Sequence, residues 1–272
     1  MAEVENVQVK LTKTGTTTLA TAGKYCNRNI DINADEVYAA GKQAEYDQFW
    51  DTIQYNATYL PAFFAGRAWR DSTFKPKYDI KPKGSCEYMF RYSLITDLKG
   101  ILEKQGVVLD TSLSTNMNNF GAYNQLTRVP TLNLTGVTNK TSYMFTTNDG
   151  SSKLTYIEEI IVSETTQFQQ TSFQYCDKLE HVIFTGPLST KGLDLRWSPL
   201  LDRESLVSII KCLSKTATAS GLTVTLSETA VNNAFTTEEW AAIAGTESAV
   251  GEGIIVDGEL IVRPANWSIA LL

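Results

Sequence analysis

His181 is the only histidine in the 272 residues. Nucleophilic catalysis on a histidine base would have to use it. It follows Leu179 and Glu180 and precedes Val182 in an apolar run. No serine stands in the G-x-S-x-G turn that would present a nucleophile. A solvent-facing strand residue is the expected role. Glycoside hydrolysis needs two carboxylates facing each other across a cleft. Glu158-Glu159 and Glu238-Glu239 are adjacent in sequence, which turns them apart on a strand or outward in the first turn of a helix. Four cysteines stand at 26, 86, 176 and 212 with no CxxC spacing, so buried free thiols are expected rather than zinc or a disulfide framework. A glycine-rich phosphate loop and metal-spaced aspartates are both missing. No catalytic residue, cofactor or metal ligand is assigned.

Binding is the remaining chemistry. Trp69, Trp197 and Trp267 lie near turn-rich stretches and form a candidate binding surface, since exposed rings can stack on sugar faces or anchor a protein interface. Core packing is the competing and favoured reading, because tryptophan is usually well buried. Lys75, Lys77, Lys81 and Lys83 cluster around Phe74 and Tyr78. One short cluster in a chain of net charge −6 is read as a solvated loop rather than a phosphate site. The acidic balance gives no general reason to bind nucleic acid or anionic membrane.

The elements that must position these residues follow from pattern. Hydrophobic residues make up 43% of the chain, enough for a sizeable core. Abundant Thr, Tyr and Asn favour strands and turns. The segment FQYCDKLEHV places Phe173, Cys176, Leu179 and Val182 at offsets of zero, three, six and nine. FGAYNQLTRV repeats those offsets with Phe120, Tyr123, Leu126 and Val129. Between them, Phe145, Leu154 and Ile157 fit if three residues are inserted at the turn NDGSS. Phe90, Ser93 and Leu98 form a degenerate first copy. Phe90, Phe120, Phe145 and Phe173 recur at intervals of 25 to 30 residues. A short apolar strand at such a period predicts a leucine-rich-repeat-like solenoid in which each Phe, Leu and Val covers its neighbour. Cys176 is then a small packing residue at an inward turn.

The order F-x-x-C-x-x-L-x-x-[IV] resembles the BspA-like leucine-rich repeat family. The flanks GKYCNRNIDI (23–32), FAGRAWRDSTFKPKYDI (64–80) and LRWSPLLDRESLVSIIKCL (195–213) resemble tail-associated proteins of phages and prophages of gut bacteria. The resemblance spans most of residues 20 to 215. It implies a structural or adhesive virion protein and carries no catalytic motif.

The fold class expected is therefore α/β and β-rich: the solenoid with short parallel strands over 61–200, a small N-terminal β module over 1–33, a capping helix over 34–60 and a C-terminal α/β cap over 201–272. Val7, Val9 and Leu11 alternate on one face of the N-terminal module. Tyr46, Phe49, Trp50 and Ile53 form the stripe of the capping helix. Asp202 is an N-cap, Thr236 and Glu239 a capping box, and Asp257-Gly258 a hairpin turn. The apolar tail WSIALL is expected to be buried.

The function expected is a non-enzymatic virion protein of the tail region, acting by protein or cell-surface binding. The expected partners are other virion proteins or sister subunits through residues 1–33, and a bacterial surface glycan or protein, with no nucleic acid. A homo-oligomer is expected. MAEVENVQVK lacks a basic region followed by an apolar segment, so no signal peptide is expected. No apolar run has the ~20 residues of a membrane helix. A bacterial surface adhesin with the same repeats, or a polysaccharide depolymerase, are the alternatives.

Overall fold

A computed structural model of the chain describes residues 8–11, 15–18, 64–65, 69–77, 79–139, 141–147, 152–246 and 249–272. The expected helix over 34–60 lies outside the described residues. In the N-terminal segment, β1 (Gln8–Leu11) and β2 (Gly15–Thr18) pair antiparallel, with Val9 opposite Thr17.

Among the described residues the body is mixed α/β, with parallel sheets, few helices and no closed barrel. Its repeated unit begins at a bridge line. Asp97 pairs parallel with Arg128, Arg128 with Tyr156, and Tyr156 with His181. Side chains alternate across a strand, so the position one residue after the line points inward, and the chain entering the line from its turn buries the position two before it as well. Two residues before the line stand Ile95, Leu126, Leu154 and Leu179. One residue after it stand Leu98, Val129, Ile157 and Val182. None of these eight is more than 3% exposed, and all belong to one apolar cluster. Ile95 therefore occupies the row expected of Leu98, which falls in the next row. The reason is length: Phe90 stands seven residues before its place on the line, Phe120 and Phe173 eight before theirs. After the line this segment turns into a helix, α1 (Leu98–Gln105), where the sister segments continue as strand. Its N-cap Asp97 accepts the amide of Gly100.

Beyond the line, β3 (Arg128–Val129) and β4 (Leu132–Asn133) lie on one side of β5 (Tyr156–Ile161), and β6 (His181–Thr185) on the other. Just before it, backbone bonds link successive segments: Thr127 N–H to Thr96 O, Thr155 to Thr127, Glu180 to Thr155 and Asp202 to Glu180. The Thr127 and Thr155 hydroxyls donate to the same carbonyls at 2.8 and 3.1 Å, doubling each link. Behind the strands a column of rings runs through the core. Phe64, Phe90, Phe120, Phe145 and Phe173 meet in sequence, with neighbouring centroids 5.3 to 6.2 Å apart. Edge-to-face and offset contacts of this kind stabilise beyond the area they bury.

The C-terminal part continues the packing. β7 (Asp194–Leu195) pairs parallel with β8 (Leu222–Leu226), which pairs parallel with β11 (Trp267–Leu271). The apolar tail is thus a strand, with Trp267 buried. Helices α2 (Arg203–Cys212), α3 (Glu228–Ala234) and α4 (Thr237–Ala244) surround this sheet in sequence. Asp202 caps α2, and Thr236 with Glu239 forms the expected capping box of α4. Strands β9 (Ile254–Val256) and β10 (Glu259–Ile261) turn at Asp257-Gly258 with φ of 51° and 81°. That is the conformation a two-residue hairpin requires. Among the described residues no helix is long and apolar enough to cross a membrane.

Candidate functional site: a tyrosine corner

The segments that precede the strands are tight turns. Alternate amides of one turn donate to the next: Tyr88, Phe90 and Tyr92 to the carbonyls of Asn118, Phe120 and Ala122, then Asn119, Gly121 and Tyr123 to Ser142, Met144 and Thr146. Phe145 donates to Ser172 in turn. Between these links the chain must reverse locally, and it does so through left-handed residues. Tyr88, Tyr92, Asn119, Tyr123, Tyr143 and Tyr175 all have φ between 53° and 63°. Glycine or asparagine takes that conformation at low cost, whereas it costs other L-residues about 1–2 kcal/mol. Five of the six are tyrosine. Backbone outliers that the surroundings enforce are a mark of function.

The rings form one cluster and one pair. Tyr92 and Tyr123 stack at 5.4 Å with planes 18° apart. The guanidinium of Arg91 lies 5.0 Å from the centroid of Tyr88, 4.8 Å from Tyr92 and 5.2 Å from Tyr123. Burial, then the charge of Glu87, raises the pKa of the Tyr88 phenol, which therefore stays neutral. Further along, Tyr175 meets Trp197 at 4.9 Å. Tyr92 is 45% exposed, Tyr143 41% and Trp197 40%. The four turns lie side by side, so their tyrosines emerge along one corner.

Of the three tryptophans expected as a binding surface, only Trp197 reaches it. Trp69 packs edge-on to Phe64 and Phe74 and is buried. Trp267 is buried with its Nε1 donating to Ser214 O at 3.1 Å. The repeat register also shifts one residue. Tyr123 matches Tyr92 and Tyr175 in conformation, not Cys176. Asn124 occupies the buried position, where its Oδ1 accepts the amide of Leu126. The left-handed residue comes three places after Phe120 but two after Phe90 and Phe173, which shifts the positions that follow it.

Several of the other candidates are engaged with neighbours. On the outer face of the sheet, Asp97 bridges Arg128 at 3.1 Å, and Arg128 lies over Tyr156. Tyr156 stacks on His181 at 4.9 Å, and His181 Nδ1 meets Asp202 Oδ2 at 2.7 Å. Glu158 bonds Lys99 at 2.6 Å, whereas Glu159 accepts from Thr185 at 2.8 Å. Glu239 binds Arg203, and Lys81 pairs with Asp79. Burial pushes the thiols of Cys86, Cys176 and Cys212 up to about 12. Cys26 lies outside the described residues. Among the described residues no group of three or more His, Cys, Asp or Glu is placed to hold a metal ion.

A signal for the corner was present in the sequence. Tyr-Met-Phe occurs twice, at 88–90 and 143–145, and a tyrosine follows Phe90 and Phe173 by two residues. No protein-family model, curated protein or solved structure matches the chain.

Proposed function

We propose that this protein is a non-enzymatic binding protein whose tyrosine corner is its contact surface. The observation that carries the reading is the placement of five tyrosines in left-handed backbone positions along one corner. A chain selected only for stability would place glycine or asparagine there. The repeated bridge line, the two inward rows and the phenylalanine column support a leucine-rich-repeat-like solenoid as the scaffold. Each segment covers its neighbour, as repeat stacking requires. The engagement of His181, Glu158, Glu159 and Glu239 with structural neighbours favours binding over catalysis.

The setting we infer is the tail region of a phage or prophage particle, where the corner would face a bacterial surface. This part rests on the resemblance of residues 23–32, 64–80 and 195–213 to tail-associated proteins. The test is binding of labelled full-length protein to gut bacterial cells, scored with Tyr92→Ala and Tyr123→Ala. Loss of cell binding with unchanged thermal unfolding supports the reading. Full binding by the double variant removes the corner from function.

A further inference from the structure

Arg91 differs from three other arginines of the described residues. Arg128 pairs with Asp97, Arg196 with Asp194 and Arg203 with Glu239. Arg91 has no carboxylate within ion-pair distance among the described residues. Its Nε is shielded from water and meets no acceptor there, and its Nη2 reaches only the Tyr92 hydroxyl, at 3.2 Å. The preceding acidic residue, Glu87, is engaged elsewhere, by the Asn116 amide at 3.4 Å. The chain carries 30 acidic and 24 basic residues. A half-buried guanidinium left without a carboxylate or a full set of acceptors in an acidic protein is a specific choice.

The surroundings fix what the group can do. Three phenol rings hold the guanidinium plane, which lowers the entropy lost when it binds. They offer it no negative charge. The planar fork of arginine matches a carboxylate or a phosphate with two parallel hydrogen bonds. The exposed ring of Tyr92 beside it suits the apolar face of a sugar. Resting on the binding reading above, we propose that the tyrosine corner binds an anionic sugar polymer. Arg91 holds its carboxylate or phosphate group, and Tyr92 flanks the adjoining sugar.

Calorimetric titration of the full chain tests this with three probes: polygalacturonate fragments for the carboxylate, poly(glycerol phosphate) teichoic acid for the phosphodiester, and neutral dextran. One anionic polymer should bind more tightly than dextran, and which one identifies the group. Arg91→Gln should weaken that binding roughly ten- to a hundredfold, the usual range for hydrogen bonds to a charged group. Arg91→Lys keeps the cation over the rings but lacks the fork, so it should fall between. Thermal unfolding checks each variant. The proposal is overturned if neither anionic polymer binds better than dextran, or if Arg91→Gln binds as the parent does. Should Tyr92→Ala abolish cell attachment while Arg91→Gln leaves it intact, the corner binds without recognising an anion. Should both variants attach normally, the binding reading itself fails.

Discussion

Ser205 completes a strand that belongs to Val182. Its hydroxyl accepts the Val182 amide at 2.9 Å, and three residues on Ser208 accepts the Phe184 amide at 3.0 Å. Val182 and Phe184 lie in β6, the last strand of the parallel sheet, and both are buried. Helix α2 therefore stands where a further strand would pair. Buried amides must find acceptors, and two serines at helical spacing supply them. An edge covered in this way cannot recruit another chain.

Removing either hydroxyl leaves a buried N–H without a partner. Ser205→Ala should cost about 1–3 kcal/mol, the desolvation penalty of an unsatisfied group. Ser220→Ala, at an exposed position, should change stability by less than about 0.5 kcal/mol. Urea unfolding of both variants decides: equal midpoints would mean that α2 does not cap the sheet edge through this bond.

The inward row predicts a second cost. Leu126, Leu154 and Leu179 stand at equivalent places beside the bridge line and are at most 2% exposed. Leu179→Ala should lose about 2–5 kcal/mol, from lost burial plus the cavity left behind. Leu113 is 58% exposed, and its alanine variant serves as the control. A Leu179→Ala protein as stable as that control would break the register.

Much of this scaffold was legible in the sequence. Leu126, Val129, Leu154, Ile157, Leu179 and Val182 could be aligned from their offsets, because inward positions must be apolar. The caps at Asp202 and Thr236 and the Asp257-Gly258 turn were readable from local chemistry. The N-terminal row was misaligned, since Phe90 stands one residue nearer the bridge line than Phe120 and Phe173 do. The candidate site was largely illegible. Trp69 and Trp267 look like binding residues only until their burial is known. The tyrosines gain meaning from a positive φ that no composition reveals for a bulky side chain. Arg91 stands out only because its Nε is buried without an acceptor and no carboxylate reaches it among the described residues.

Tyr143 separates function from stability. It is 41% exposed with φ of 53°. Asparagine tolerates that conformation, and Asn119 adopts it in the adjoining turn at 55°. Tyr143→Asn should therefore keep or raise stability, by up to about 1 kcal/mol, while weakening cell attachment. A clear fall in the unfolding temperature would show that the ring is retained for packing instead.

The thiols give a quick check of the core. Cys86, Cys176 and Cys212 are buried, and their thiols are pushed up to about 12 by that burial. Thiolate is the reactive form, so none of the three should react with a thiol reagent at neutral pH in the folded state. At most one of the four cysteines should be titrated before denaturant is added, and all four after. Rapid modification of two or more in native protein would contradict the packing of these segments.

Acid should act on the contact between α2 and α4. Arg203 pairs with Glu239 at 2.8 Å and also donates to Ala234 O at 2.7 Å. The Arg203 guanidinium, and then the Thr236 amide, hold the Glu239 carboxyl at about 2, against its ordinary 4.5. A carboxylate with a depressed folded value stabilises the folded state above the ordinary value and loses that contribution as pH falls towards the folded one. The window for Glu239 thus runs from 4.5 down to about 2. Glu239 is solvent-facing, so salt should screen the effect. Glu239→Gln removes the titration but keeps the side chain's shape. Its unfolding temperature should lie below the parent's at neutral pH, and the gap should close as pH passes through this window. A gap that stays constant from neutral pH to the bottom of the window would show that the pair does not link the two helices electrostatically.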